Sequence, residues 1–600
     1  MLNTKVILCF LVSIIFSLLF SACGGSSLDT FNARTPAPTS ALEAGKLPTS
    51  QAIITVPPLD KTPTPAPTRA NPNALQVRID KNKVLNPISP LIYGLAGGDE
   101  SDPNYDTELR PGLARWGGNP TTRYNWVYGN AFNAARDFEF RNGNYGTIAA
   151  PGQRFLASEA IQDSKNRNIP FLLTVPTIGW VAKNDDMNIF SKNVPQTGGA
   201  PLQPGSEAIK GYDPTANRQL TSVQSKARKN APFVDKPNPL STVVYQDEWV
   251  NHLVKRFGKA AEGGVKFYAM DNEPDLWCQT HTDVHPLCMG YDAMRDRFLE
   301  YANAVKDVDQ TAMITGPVVA GWVWYFYSEL DRGEDNFRTA ADRKAHGNMP
   351  FLPWFLNEIR KDDEKKGRRS LDVLDIHYYP QAVGVYEGKV DADTQAVRLR
   401  STRALWDKTY TDESWIAQPV NLIPLMQSWI KEYYPDTKLG ITEWNWGADT
   451  TLNGALAIAN VLGIYGREGV YMAAYWRNPP SKSPGFYAFK LFTNFDDKGS
   501  SFGDQAVAAN NNDLYNVSSF AAVDSKTNRL RIMLINNQPD KERDIEVTLV
   551  SPVASQNAKV FEVSNRTGAK LATQPDIAVS GSSIELKLPA YSIVLIDLAL

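Results

Sequence analysis

The chain has 600 residues, 42% of them hydrophobic and 21% charged, and its 62 basic and 65 acidic side chains leave a net charge of −3. That composition suits a soluble protein of more than one domain and gives no electrostatic reason to bind nucleic acid or an anionic membrane surface, so the expected partner is uncharged. The 14 Trp, 24 Tyr and 25 Phe are the one positive hint, because flat rings fill large cores and also stack on ligand faces.

In chain order, Met1 to Lys5 precede an apolar run from Val6 to Phe20 and then small Ser21 and Ala22. This is the layout of an export signal over residues 1–22, and it is short for a membrane span. Leu19-Phe20-Ser21-Ala22-Cys23-Gly24-Gly25-Ser26 resembles a bacterial lipoprotein signal. The resemblance implies lipidation of Cys23 and a cell-surface location, with plain secretion as the alternative. Residues 23–73 carry Pro, Thr, Ser and Ala in runs such as Thr62-Pro63-Thr64-Pro65-Ala66-Pro67-Thr68. They have too few large apolar groups to offset ordering entropy and read as a disordered tether.

Over residues 91–485 short apolar runs alternate with helical patterns. Eight runs read as strands: Ile88 to Gly94, Leu113 to Trp116, Pro170 to Thr177, Val265 to Asp271, Ala312 to Val318, Leu371 to Tyr379, Lys438 to Trp444 and Met472 to Trp476. Strands that alternate with helices pair in parallel, and eight such units predict an α/β protein built on a closed (β/α)8 TIM barrel. The stretch from about 179 to 239, rich in Gly, Pro, Asn and Lys, reads as a long loop over one barrel face. After residue 485 the pattern turns to strands with no convincing helix, at Phe520 to Val523, Leu530 to Ile535, Asp544 to Val550, Lys559 to Val563, Ile584 to Leu588 and Ser592 to Ile596. These predict a C-terminal antiparallel β-sandwich over 486–600. Residues 74–90, which alternate from Leu75 to Asp80, are expected to donate a strand to it.

Cys9 lies in the export signal and Cys23 at its end, so Cys278 and Cys288 are the only cysteines of the body. In an oxidising compartment such a pair reads first as a disulfide closing a small loop. With His281 and His285 between the two cysteines, a zinc site is the alternative.

The catalytic groups of such a barrel sit where its strands end. The fourth predicted strand runs into Asp271-Asn272-Glu273-Pro274, and the seventh into Glu443-Trp444-Asn445-Trp446. Either Glu alone is an ordinary loop carboxylate or helix cap. On strands four and seven together they face each other across the barrel mouth, a geometry suited to cleaving a glycosidic bond. One carboxyl protonates the leaving oxygen while the other attacks the anomeric carbon. A gap of about 5–5.5 Å makes the enzyme retaining, and a wider gap leaves room for the water of an inverting one.

Met270 to Trp277 followed by Thr280 to Pro286, Arg115-Trp116-Gly117-Gly118-Asn119 with Tyr124-Asn125-Trp126, and Ile441 to Trp446 resemble glycoside hydrolase family 44, the endoglucanases and xyloglucanases of a retaining clan. The resemblance covers residues 75–600. It implies that Glu273 is the acid/base, Glu443 the nucleophile and Asn272 a contact to the 2-hydroxyl of the sugar, with a β-1,4-glucan substrate and no cofactor for catalysis. It also implies a structural metal, often calcium, for which Asp99, Glu100, Asp102 and Asp137 are the acidic candidates.

Arg115 and His377 stand where they can orient the carboxylates, and Tyr378 and Tyr379 beside His377 read equally as core or as ligand contacts. For sugar stacking the strand ends offer Trp116, Trp180, Trp277, Trp322, Trp324, Trp444, Trp446 and Trp476, with Asn119 nearby. Every Trp lies between Trp116 and Trp476, so the sandwich is not expected to be a Trp-faced glycan-binding module. The resulting reading is an exported, monomeric, retaining endo-β-1,4-glucanase. The alternatives are the same clan acting on xylan, mannan or arabinofuranosides, and a non-catalytic lipoprotein that captures glycans.

Overall fold

The computed structural model describes residues 73–97, 102–133, 141–143, 157–186, 188–193, 213–333 and 335–600. The expected export signal, Cys23, all but the last residue of the expected tether, and the candidates Asp99, Glu100 and Asp137 lie outside the described residues. No helix among the described residues is long and apolar enough to cross a membrane.

Eight parallel strands close into a barrel in chain order: Gly94–Ala96, Leu113–Trp116, Phe171–Val175, Phe267–Met270, Met313–Val319, Val373–Tyr378, Lys438–Trp444 and Met472–Trp476. The expected eight are all present, and only the first is displaced. Pro90–Tyr93 form a 3-10 turn whose Leu91 N–H donates to the Ser89 side chain, and proline at its first position presets the turn. Each strand is followed by a helix of the outer layer, from Tyr105–Leu109 after the first to Pro484–Thr493 after the eighth.

The last helix corrects the boundary placed at residue 485. Ser483 caps Pro484–Thr493 and Pro484 opens it, and the helix packs against Leu452–Glu468 as the final piece of the barrel. Its residues from Phe486 to Phe492 are apolar at almost every position, so no amphipathic period marks it as a helix. The insertion near 179–239 is also more than a loop. Its described part holds the helix Pro214–Thr221 and contributes Trp180–Ala182 and Ser222–Lys226 to a three-stranded sheet with Val243–Tyr245.

The C-terminal unit is one nine-stranded sheet that also includes Gln505–Asn511 and Ala572–Ala578, two strands not anticipated. Leu75–Pro87 enters it between Gln505–Asn511 and Arg543–Leu549, as the alternation from Leu75 predicts, pairing antiparallel with the first and parallel with the second. The sheet folds over so that Val77, Ile532, Val547, Ile584 and Ile596 share one apolar cluster. Its other face carries Phe520, Met533, Phe561 and Leu595 into the same cluster as the barrel helices.

Candidate active site

The ends of strands two, four, six and seven converge. Arg115 on strand two donates from Nη1 to Glu443 Oε1 at 2.8 Å and from Nη2 to Asn272 Oδ1 at 2.8 Å. Asn272 Oδ1 accepts a second bond, from the Gly118 N–H at 3.2 Å. Gly118 has φ +96°, and a Cβ there would lie 2.4 Å from the Trp476 ring, so only glycine lets this backbone approach both partners. The Arg115 guanidinium lies 5.8 Å from the Trp476 ring centroid, a cation–π distance.

His377 pairs with Glu443 in the register of strands six and seven. Its Nδ1 is 2.9 Å from Glu273 Oε1 and 3.4 Å from Glu443 Oε2, and its Nε2 is 3.4 Å from Arg115 Nη2. A guanidinium only donates, so Nε2 is the acceptor and Nδ1 carries the proton that bonds Glu273. Burial holds the imidazole pKa down at about 4, with Glu443 opposing and Arg115 reinforcing the shift, so the ring is neutral near pH 7. The Tyr325 hydroxyl donates to the His377 carbonyl at 2.5 Å and fixes the end of this strand.

An oxygen of Glu273, an oxygen of Glu443 and a ring nitrogen of His377 lie within 4.8 Å of one another. Such a trio also meets the spacing of a metal site. Arg115 already supplies a cation to Glu443, and the Tyr379 hydroxyl donates to Glu443 Oε2 at 2.8 Å, so both oxygens of this carboxylate are engaged. Glu273 itself has left-handed backbone, φ 47° and ψ 55°, and its N–H donates to the Val318 carbonyl at 2.9 Å. Asp275, one turn further on, is buried with its carboxylate on the Ala320 N–H. Burial and then the charge of Glu273 push its pKa well up.

Glu273, Glu443, Asn272, Arg115 and His377 are thus brought together, and Asn119 is partly exposed just beyond them. Tyr378 is not part of this group: it is fully buried against Trp446, 5.9 Å between ring centroids. Successive strand residues point to opposite faces, so it is Tyr379, two positions from His377, that reaches Glu443. That two-residue alternation was the available signal for preferring Tyr379.

The same rule corrects most of the stacking candidates. Trp116 follows Arg115 and Trp444 follows Glu443, so both turn outward under the helices. Trp116 packs on Tyr124 and Trp249, and Trp444 on Tyr465, Tyr475 and Phe489. Trp277, Trp444 and Trp446 are fully buried, and Trp322 and Trp324 nearly so. These six are packing residues. Trp180 and Trp476 alone of the eight stay partly exposed.

Cys278 and Cys288 form a disulfide, Cα to Cα 4.9 Å, so the zinc reading falls. His281 is buried, and neither of its ring nitrogens has a hydrogen-bond partner among the described residues. Asp102, the one described member of the calcium candidates, accepts from the Asn104 N–H and the Ser481 hydroxyl.

A closed parallel barrel carrying two facing carboxylates at the ends of strands four and seven defines a glycoside hydrolase. The profile of glycoside hydrolase family 44 matches residues 131–382. Endoglucanase A of Paenibacillus lautus is 32% identical over 559 residues, which are 89% of this chain and 74% of that protein. Among solved structures, a bifunctional glucanase-xylanase from a metagenome library superposes with a TM-score of 0.77 at 33% identity, covering 87% of this chain and 99% of the other. A family 44 xyloglucanase of Paenibacillus polymyxa, solved with xyloglucan, gives 0.76 at 30% identity over 88% and 99% of the two chains. The chain belongs to glycoside hydrolase family 44.

Proposed function

We propose that the protein is an endo-acting β-1,4-glucanase that cleaves soluble or amorphous β-glucans, xyloglucan among them, with retention of anomeric configuration. The observation that carries this reading is the convergence of Glu273 and Glu443, one oxygen of each lying within 4.8 Å of the other. Carboxyls brought this close suit the roughly 5 Å separation of retaining enzymes. The relatives named as endoglucanase and xyloglucanase support the substrate class.

Ionised Glu443 attacks the anomeric carbon while Glu273 gives its proton to the departing glycosidic oxygen, leaving a glycosyl ester on Glu443. Glu273, now a carboxylate, takes a proton from water as that water attacks the anomeric carbon on the face the first leaving group vacated, opposite Glu443, which departs as its carboxylate, so the configuration is retained. Arg115 and Tyr379 each bond one oxygen of Glu443 and aim its carboxylate. With Asn272 Oδ1 occupied by Arg115 and Gly118, its amide N–H₂ is the group left for a sugar 2-hydroxyl. Trp476 and Trp180 offer ring surface for pyranose faces.

The test is the initial rate on carboxymethyl cellulose and xyloglucan. Glu273→Gln and Glu443→Gln should each lower it by on the order of 10³-fold or more, and NMR of the first products should show the β-anomer. Full activity in both variants, or the α-anomer first, would overturn the mechanism.

A further inference from the structure

The floor of the barrel interior is apolar, with Leu113, Phe267, Val373 and Met472 in one cluster, as branched and large side chains usually fill such a space. One layer higher, between that floor and the reaction centre, stands a carboxyl that the mechanism above does not use. Asp375 lies two residues before His377 on strand six, so the two side chains share the inward face. It is fully buried. Thr315 Oγ1 on strand five donates to its Oδ2 at 2.7 Å, and Thr442 Oγ1 on strand seven donates to its Oδ1 at 2.7 Å. Both threonines are fully buried as well. Burial raises the Asp375 pKa, opposed by His377, the two hydroxyls and Arg115. An apolar side chain would fill this place at lower cost, so a carboxyl here calls for a reason.

The two strands that Asp375 joins are both irregular at this level. Asp375 pairs with Pro317 and Ile376 with Val319, so Val318 is an extra residue in strand five. Its φ of 59° is one that a β-branched residue rarely adopts. On the other side Ile376 pairs with Ile441 and His377 with Glu443, so Thr442 is an extra residue in strand seven. A bulge of this kind re-aims the side chains that follow it. Strict alternation would turn Glu443 outward with Ile441; the bulge instead brings it into the mouth opposite His377 and leaves Trp444 outward. The bulge at Val318 presents the carbonyl that holds the Glu273 N–H at 2.9 Å. Each reacting carboxyl thus depends on a bulge, and Asp375 bonds both bulged strands, at Thr442 within one bulge and at Thr315 just below the other.

We propose that Asp375 is a positioning residue for glycoside cleavage. Its two bonds lock strands five and seven to strand six at the bulges and so set where Glu273 and Glu443 stand relative to each other. Asp375 acts from beneath the reaction centre and does not meet the sugar. The inference rests on the two-carboxylate reading above. Reacting groups tolerate very little misplacement, so loosening the bulges slows the chemistry, while binding along the cleft stays nearly as it was.

Asp375→Asn, Thr442→Val and a triple variant combining Thr315→Val, Asp375→Leu and Thr442→Val are compared with wild type on xyloglucan and carboxymethyl cellulose, with urea unfolding alongside. An amide has the same shape and still bonds both hydroxyls, accepting from one and donating to the other, so Asp375→Asn should keep kcat within about fivefold. The triple variant exchanges the whole polar layer for apolar groups of similar shape, which leaves stability level or raises it. Its kcat should nevertheless fall about 10²-fold with KM within about threefold. If the triple variant does not fold, Thr442→Val decides alone, with kcat down about tenfold and KM held. Wild-type kcat in Thr442→Val or in the triple variant would overturn the proposal. So would an equal loss in Asp375→Asn and the triple variant, since the charge and not the two bonds would then be responsible. A wild type inactive on both polymers would instead sink the two-carboxylate reading and the positioning role with it.

Discussion

Glu273 has the left-handed backbone that costs a non-glycine residue about 1–2 kcal/mol. Asp271 is also left-handed, at φ 70°. The strain is held by neighbours: Asp271 takes the N–H groups of Thr177, Ile178 and Asn272, and the Glu273 N–H is fixed on Val318. The result is a Glu273 carboxyl that reaches across to His377 Nδ1 instead of lying along its own turn. A second carboxyl, bonded to the segment beyond Glu273, is set chiefly by burial, which outweighs its hydrogen bonds. Glu329, which accepts from the Cys278 N–H and from Gln279 Nε2, is fully buried, and its pKa is pushed up to about 8. The folded protein keeps that proton where the unfolded chain, with a pKa near 4.3, has lost it, so the associated stability is present at acid pH and is lost as pH rises toward 8. Between pH 6.5 and 8 the unfolding free energy of wild type should fall by up to ~2 kcal/mol relative to that of Glu329→Gln. Urea unfolding at a series of pH values checks this, and parallel pH curves for the two proteins would refute it.

At the scale of elements, the segment following Glu273 is held at two points. The Cys278–Cys288 disulfide closes it, and inside the loop Asp283 forms a buried pair with Arg123 at 2.9 Å. Arg123 also donates to Ser222, which joins this loop to the one after strand two and to the inserted sheet. Opening a loop of ten positions should lower stability by roughly 2–3 kcal/mol. Cys278→Ser with Cys288→Ser, measured by urea unfolding, gives that number; no change would mean that the ion pair alone holds the loop. The disulfide was legible from two body cysteines in a chain whose start reads as an export signal, whereas the Arg123–Asp283 pair was not, because its members are 160 residues apart and nothing local links them. Barrel strands were readable for the opposite reason: buried on both faces, they appear as continuous apolar runs. The strand Ala572–Ala578 alternates only weakly and contains Pro575, so it carried little signal at the edge of its sheet, where proline is tolerated.

At the scale of the molecule, barrel and sandwich share one apolar core. Helix Leu452–Glu468 is buried along nearly all of its length, with the barrel on one side and the folded-over sheet on the other. At Gly463 a Cβ would come 2.5 Å from the Phe520 ring, a contact that only a glycine admits. Across the same seam Asn460 bonds Asn537 at 3.0 Å and Asn453 bonds Tyr591 at 3.1 Å. The sandwich thus braces the helices behind strands seven and eight, which carry Glu443 and Trp476. Ahead of this body the sequence reads as an export signal and a Pro-rich tether, and we propose that they hold the enzyme at a surface while it works on a polymer. Cys23→Ser should move the protein from the membrane fraction to the soluble exported fraction, measured by fractionation of cells expressing the full chain; an unchanged distribution would rule out a lipid at Cys23. The near-neutral charge accords with a substrate that needs no electrostatic steering.

By itself the sequence determined the barrel, the strand borrowed by the sandwich, the disulfide, the family resemblance and the two carboxylates, because each is written in local pattern: apolar runs, alternation, cysteine spacing and residues at strand ends. The roles of the aromatic rings were decided only in the tertiary structure. Which of two adjacent strand residues faces the mouth depends on register, and whether an outward ring is covered depends on helices distant in sequence. Trp444 and Trp446 therefore became core, while Tyr379 came to bond Glu443.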